Sequence, residues 1–87
     1  MKPVHYQPHV LYRMTQRTIE RQQIEVAIRE PHITLPTLDR RRSRAMRKFG
    51  TRTLDVIYED RGRYVMVITA AWLKSDDRKV WPHEHSD

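Results

Sequence analysis

A chain of 87 residues is too short for two ordinary domains and long enough for one modest core, because small domains bury a lower fraction of their surface than large ones. Hydrophobic residues make up 38% and charged residues 32% of it. That is polar for a folded protein, yet the apolar residues recur at periods a disordered chain does not need. Lys and Arg number 17 against 11 Asp and Glu, a formal charge of +6, which points to a polyanionic partner: nucleic acid, an anionic membrane surface or an acidic protein.

The chain has no cysteine, which excludes disulfides, thiolate chemistry and cysteine-ligated zinc. No run approaches the roughly 20 apolar residues of a spanning helix, and the opening MKPVHYQPHV lacks the apolar stretch of a secretory signal. A soluble, cytoplasmic protein with no membrane partner is the expectation.

In chain order, residues 3–7 alternate weakly and contain β-formers, predicting a short first strand. Pro8 suits the first turn of a helix, where its missing N–H costs nothing. Over residues 9–16, Leu11 and Met14 share one helical face with Val10 nearby, while His9, Arg13 and Arg17 recur at i, i+4 and i+8 on another. A second helix runs from Thr18 or Glu20 to Glu30 on an apolar stripe of Ile24, Ala27 and Ile28, and Pro31 stops it. Residues 32–38 look extended, but Pro36 lacks a ladder donor and makes them an edge strand or a loop.

The basic run from Arg40 to Lys48 puts charge on both faces if extended, which favours a loop at its start and a strand near its end; Gly50 marks a turn. Residues 52–58 and 64–72 read as two strands joined by a Gly62-containing connection. In the last strand Tyr64, Met66, Ile68, Ala70 and Trp72 fall on one face, and Val65, Val67, Thr69 and Ala71 on the other. Apolar residues on both faces predict a central strand. From Lys74 on, periodicity is lost and a C-terminal tail over residues 74–87 is expected. The order describes a single α+β domain over residues 1–73, with a short N-terminal strand and two helices on a three- to four-stranded antiparallel sheet.

Several groups carry possible chemistry. Like charges at i and i+4 are mildly destabilising, so His9, Arg13 and Arg17 gain from an anion opposite them or from nearby carboxylates on a solvated face. Metal-free RNA cleavage needs a base for the 2′-hydroxyl, an acid for the leaving oxygen and cations on the phosphorane; His suits the first two roles and Arg the third. Arg40, Arg41, Arg42, Arg44, Arg47 and Lys48 are the densest positive charge. They suit phosphates, with Tyr12, Tyr58, Tyr64 or Phe49 as stacking surfaces, or equally a solubilising loop or a dock for an acidic protein. Tyr58 and Thr69 bring hydroxyls to the predicted strands, as site groups or as half-buried sheet residues. Trp72 and Trp81 read as packing residues, and His83-Glu84-His85 as solvated tail; no metal site is expected.

The pattern His9-x3-Arg13-Met14-x2-Arg17-x-Ile19, continued by a short helix stopped at Pro31, resembles the opening of the domain-of-unknown-function family numbered 4258. Lys48-Phe49-Gly50, residues 54–58 and residues 67–72 resemble its final strands. The resemblance implies a RelE/ParE-like fold and a metal-independent endoribonuclease or toxin-like RNA-cleaving domain without a cofactor. His9, Arg13 and Arg17 would form its site, Thr69 would contribute from the last strand, and RNA, ribosome-associated mRNA included, would be its partner. The related fold also includes non-nucleolytic proteins, which keeps open a basic module that binds RNA or an acidic antitoxin. Two departures stand out: Thr18 and Glu20 where the family commonly has Gly and then Ser, and Gln7 where a small hydroxyl residue often opens the first helix.

Overall fold

The computed structural model describes residues 2–73; the tail, with Trp81 and His83-Glu84-His85, lies outside the described residues. Seven elements follow one another: β1 (Val4–Tyr6), α1 (Pro8–Arg17), α2 (Arg21–Arg29), β2 (Ile33–Pro36), β3 (Arg42–Phe49), β4 (Arg52–Asp60) and β5 (Val65–Trp72). The strands form one sheet in the order β1-β5-β4-β3-β2. The fold is α+β with two helices on the sheet. The sheet differs from the expected three to four antiparallel strands in two respects. Among the described residues it has five strands, because residues 33–36 do pair with β3 as an edge strand. It is also mixed, because β1 runs parallel to β5. Pro36 is tolerated because it closes β2 on the outer edge, where no further ladder needs its missing donor.

Local chemistry sets the element ends. Gln7 precedes α1 in an extended conformation with no side-chain cap, and Pro8 takes the first helical position. Thr18 ends α1 in the left-handed region at φ 56, a conformation costly for a β-branched residue. Glu20 opens α2 in a capping-box arrangement in which its backbone N–H donates to Gln23 Oε1 at 2.9 Å. At the β3–β4 turn Phe49 pairs with Arg52, and Gly50, at φ 66, supplies the positive φ of a two-residue hairpin loop.

The core lies between the helices and one face of the sheet. Val10 and Met14 of α1, Ile19 of the inter-helix turn and Ile24 and Ala27 of α2 meet Leu54, Val56, Val67 and Ala70 of β4 and β5. Leu11, expected on the apolar face of α1, is instead 38% exposed, while Val10 and Met14, one turn apart, form the buried seam. Ala45 and Met46 are adjacent and both fully buried. Alternation puts them on opposite faces: Ala45 pairs with Val56 under the helices, and Met46 lies on the far face between Ile33 and Asp55.

β5 is central, between β1 and β4, but its expected two-face pattern fails at Ile68. Ile57 pairs with Thr69 and Tyr58 with Val67, so Ile68 has no partner on β4. This extra residue is a β-bulge, and it shifts the phase of the strand. Val67 and Ala70 consequently share the helix-side core, and Thr69, which strict alternation would align with Val67, is exposed.

Candidate anion-binding site between α1 and β5

The bulge coincides with the place where β5 loses its neighbour. β1 ends at Tyr6, opposite Val67, because Pro8 turns the chain into α1. Beyond Val67 the β5 edge has, among the described residues, no strand to accept bonds from, and buried backbone carbonyls must be paired. α1 packs along this stretch and supplies side chains instead. His9 Nε2 lies 3.1 Å from the Ile68 carbonyl, and Arg17 Nη1 donates to the Ala70 carbonyl at 2.9 Å. In return the Trp72 indole donates to the Arg17 carbonyl at 2.9 Å. A carbonyl only accepts, so Nε2 carries the proton, and Nδ1 is the nitrogen of the neutral ring that accepts one.

These anchors border an open cleft of about 290 Å³ lined by His9, Val10, Arg13, Arg17, Thr69 and Ala70. The i, i+4, i+8 spacing on α1 and the outward-turned Thr69 of the bulged strand thus bring all four expected site residues to one place. Arg13 is exposed and, among the described residues, has no hydrogen bond or ion pair. Arg17 is half-buried, with one nitrogen spent on Ala70. Among the described residues no carboxylate lines the cleft. A guanidinium pair without an acidic counterpart, beside an imidazole and a hydroxyl, is chemically suited to an oxyanion such as phosphate.

The second expected group has a different fate. Arg42, Arg44 and Lys48 alternate along β3, and Arg44 and Lys48 share the Met46 face. Arg44 makes two bonds to Asp55, at 2.9 and 2.8 Å, across the ladder. Arg42 bonds Glu59 at 3.1 Å and lies 3.7 Å from Asp39, while Arg41 bonds Asp39 at 3.2 Å. Arg61 also bonds Glu59, at 2.9 Å. The Arg61 and Arg42 guanidinium groups hold the Glu59 carboxyl below its usual range, and the Arg41 side chain does the same for Asp39. Arg47 donates to the Glu30 carbonyl and stacks over Phe49 at 5.9 Å. The Lys48 backbone N–H bonds His32 Nδ1 at 3.1 Å. Arg40 is exposed in the turn before β3, with no ion pair among the described residues. Tyr58 is half-buried against the helix-side core, while Ile57 and Glu59 beside it share the face of Arg44. The basic run and Tyr58 therefore do not form one surface, and much of the run's charge is met by carboxylates.

Sequence reasoning missed Arg52, whose guanidinium carbon lies 3.9 Å from the centroid of the Trp72 ring. It also missed the carboxylate partners of β3. Fixing Gly50 and Thr51 as a two-residue turn brings Arg42 opposite Glu59, so that pair was recoverable from register; the Arg52–Trp72 contact depends on the β4–β5 register and was not.

Among the described residues no helix is long and apolar enough to cross a membrane. No family model matches the chain, and comparison with curated proteins and with solved structures gives no match.

Proposed function

We propose that the α1–β5 cleft binds the phosphates of RNA and that the domain is a metal-independent endoribonuclease of the toxin-like kind. The observation that carries this is the cleft itself: His9, Arg13, Arg17 and Thr69 around one opening with no carboxylate among its lining residues. The likeness of His9, Arg13, Met14, Arg17 and Ile19 to the family 4258 pattern supports the same reading.

In this mechanism Arg13 and Arg17 neutralise a phosphodiester, and the charge growing on its equatorial oxygens strengthens their hold as the reaction proceeds. His9 Nδ1 takes the proton of the neighbouring 2′-hydroxyl, whose oxygen attacks phosphorus. The bond to the 5′-oxygen breaks, that oxygen takes a proton from water, the hydroxide so formed takes the proton held on His9, and a 2′,3′-cyclic phosphate and a 5′-hydroxyl remain. The hydroxyl of Thr69 is a donor for a phosphate oxygen. Without carboxylates, the phosphate charge is met by guanidinium groups and not through a bridging cation.

Purified protein incubated with RNA, with and without chelator, tests this. Cleavage that resists chelator and falls about 10²–10⁴-fold in His9→Ala, the contribution of a general acid or base, is the expected result. Absence of cleavage by wild type, or equal cleavage by the His9→Ala and Arg17→Ala variants, contradicts it.

One observation favours a second reading. His9 and Arg17 already bond the carbonyls of Ile68 and Ala70, a structural duty that needs no catalysis. On that reading the domain is a non-catalytic module that binds RNA or an acidic, antitoxin-like protein. RNA binding through about four phosphates would give a slope of log affinity against log salt near −3. A salt-independent affinity excludes the RNA version.

A further inference from the structure

The α1–β5 groove does not end at Arg17. A second open cleft of about 520 Å³, lined by Gln16, Arg17, Thr18, Arg52, Ala71 and Trp72, begins on the other side of that residue. Arg17 borders both clefts.

Trp72 is unusually well held for a residue at a strand end. Its indole N–H donates to the Arg17 carbonyl at 2.9 Å, and Phe49 meets it edge-on with centroids 6.3 Å apart. The Arg52 guanidinium rests over its ring at 3.9 Å. Trp72 is half-buried and Arg52 exposed. Arg52 has no carboxylate partner among the described residues. The result is a flat cation backed by a fixed aromatic ring, next to a pair of cations suited to phosphate. Unpaired bases stack on both aromatic rings and guanidinium planes.

We propose that the Arg52–Trp72 cleft is a nucleobase subsite: one base of a single-stranded oligonucleotide stacks there while an adjoining phosphate is held by Arg13 and Arg17. From His9 to Arg17 the helix rises about 12 Å, room for about three nucleotides at the ~3.4 Å rise of a stacked strand and fewer if the strand is extended. A duplex keeps its bases stacked inside and offers none to this surface, so the substrate class is single-stranded nucleic acid. The inference rests on reading the first cleft as a phosphate site.

The test measures binding of the full chain to inorganic phosphate, to an uncleavable 2′-O-methyl trinucleotide and to a duplex of the same sequence. Wild type is compared with Arg52→Ala, Arg52→Lys and Arg13→Ala. The expected result is an approximately tenfold loss of trinucleotide affinity in Arg52→Ala, most of that loss retained in Arg52→Lys, which keeps the charge without the plane, and phosphate binding unchanged in both. Wild type is also expected to prefer the single strand to the duplex. Arg13→Ala weakens phosphate and trinucleotide alike. A trinucleotide affinity insensitive to Arg52→Ala, or restored by Arg52→Lys, overturns the base subsite while leaving the phosphate site in place. Insensitivity to Arg13→Ala as well overturns both.

Discussion

Arginine is concentrated at two places in this chain, and the two are in opposite electrical states. On β3 and its approach, Arg41, Arg42 and Arg44 face Asp39, Glu59 and Asp55 at bonding distance. On α1, Arg13 has no partner among the described residues, and the cleft it shares with Arg17 has no carboxylate in its lining. Local charge density in the sequence favours the first region; charge left available in the fold favours the second. Cross-strand ion pairs contribute to sheet pairing, so the arginines of β3 are largely accounted for by the structure that contains them. On α1, Arg17 bonds only a backbone carbonyl and Arg13 has no partner among the described residues.

The largest expected difference between the regions comes from truncating one arginine in each. Arg44→Ala leaves the Asp55 carboxylate, whose side chain is only 15% exposed, without its bidentate partner. It should destabilise the fold by about 1–3 kcal/mol in denaturant melts. Its RNA affinity, measured where the protein remains folded, should stay near that of wild type. Arg13→Gln should leave stability within about 0.5 kcal/mol and lower the salt slope of RNA binding by about one unit. The opposite assignment of effects would reverse the comparison.

A smaller effect concerns the end of the cation-bearing helix. Thr18 holds a left-handed φ of 56, where a β-branched side chain is strained. Thr18→Gly should raise stability by about 1 kcal/mol, the relief of strain exceeding the extra freedom of the unfolded chain. Thr18→Ala should gain less, since alanine keeps its Cβ. No gain from glycine would mean that the turn after Arg17 is held without strain.

The smallest expected effect is acid sensitivity, and it belongs to the paired region. Arg61 and Arg42 lower the Glu59 carboxyl, and Arg41 lowers Asp39; Lys2 and then the Gly62 N–H lower Asp60. A carboxyl depressed in the folded state stabilises it fully above the unfolded value, near 4, and loses that contribution as pH falls through the folded value. The melting temperature should therefore be level above about pH 5 and fall gently below pH 4, with a shallower fall in Glu59→Gln. Asp60 is exposed and Asp39 and Glu59 are half-buried at the surface, where ion pairs contribute modestly.

Much of this was readable from particular residues. Pro8, Pro31 and Gly50 mark ends that hold in the fold, and the spacing of His9, Arg13 and Arg17 gave the shared face of α1 directly. The bulge was not readable. Val67, Ile68 and Ala70 are all apolar enough to sit inside, so composition did not say which of them breaks the alternation, and the break is what turns Thr69 outward. The parallel pairing of β1 was also hidden, because three residues with weak alternation carry no sign of direction. The ion pairs of β3 follow only once the register of the Gly50–Thr51 hairpin is fixed, since Asp55 and Glu59 are remote in sequence from the arginines they meet.

The most direct test of the central claim is an amide chemical-shift titration of the folded protein with an uncleavable single-stranded RNA. The largest changes are predicted at His9, Arg13 and Arg17 and along residues 69–72, with residues 41–48 little affected. Changes confined to residues 40–48, with α1 unmoved, would contradict the account.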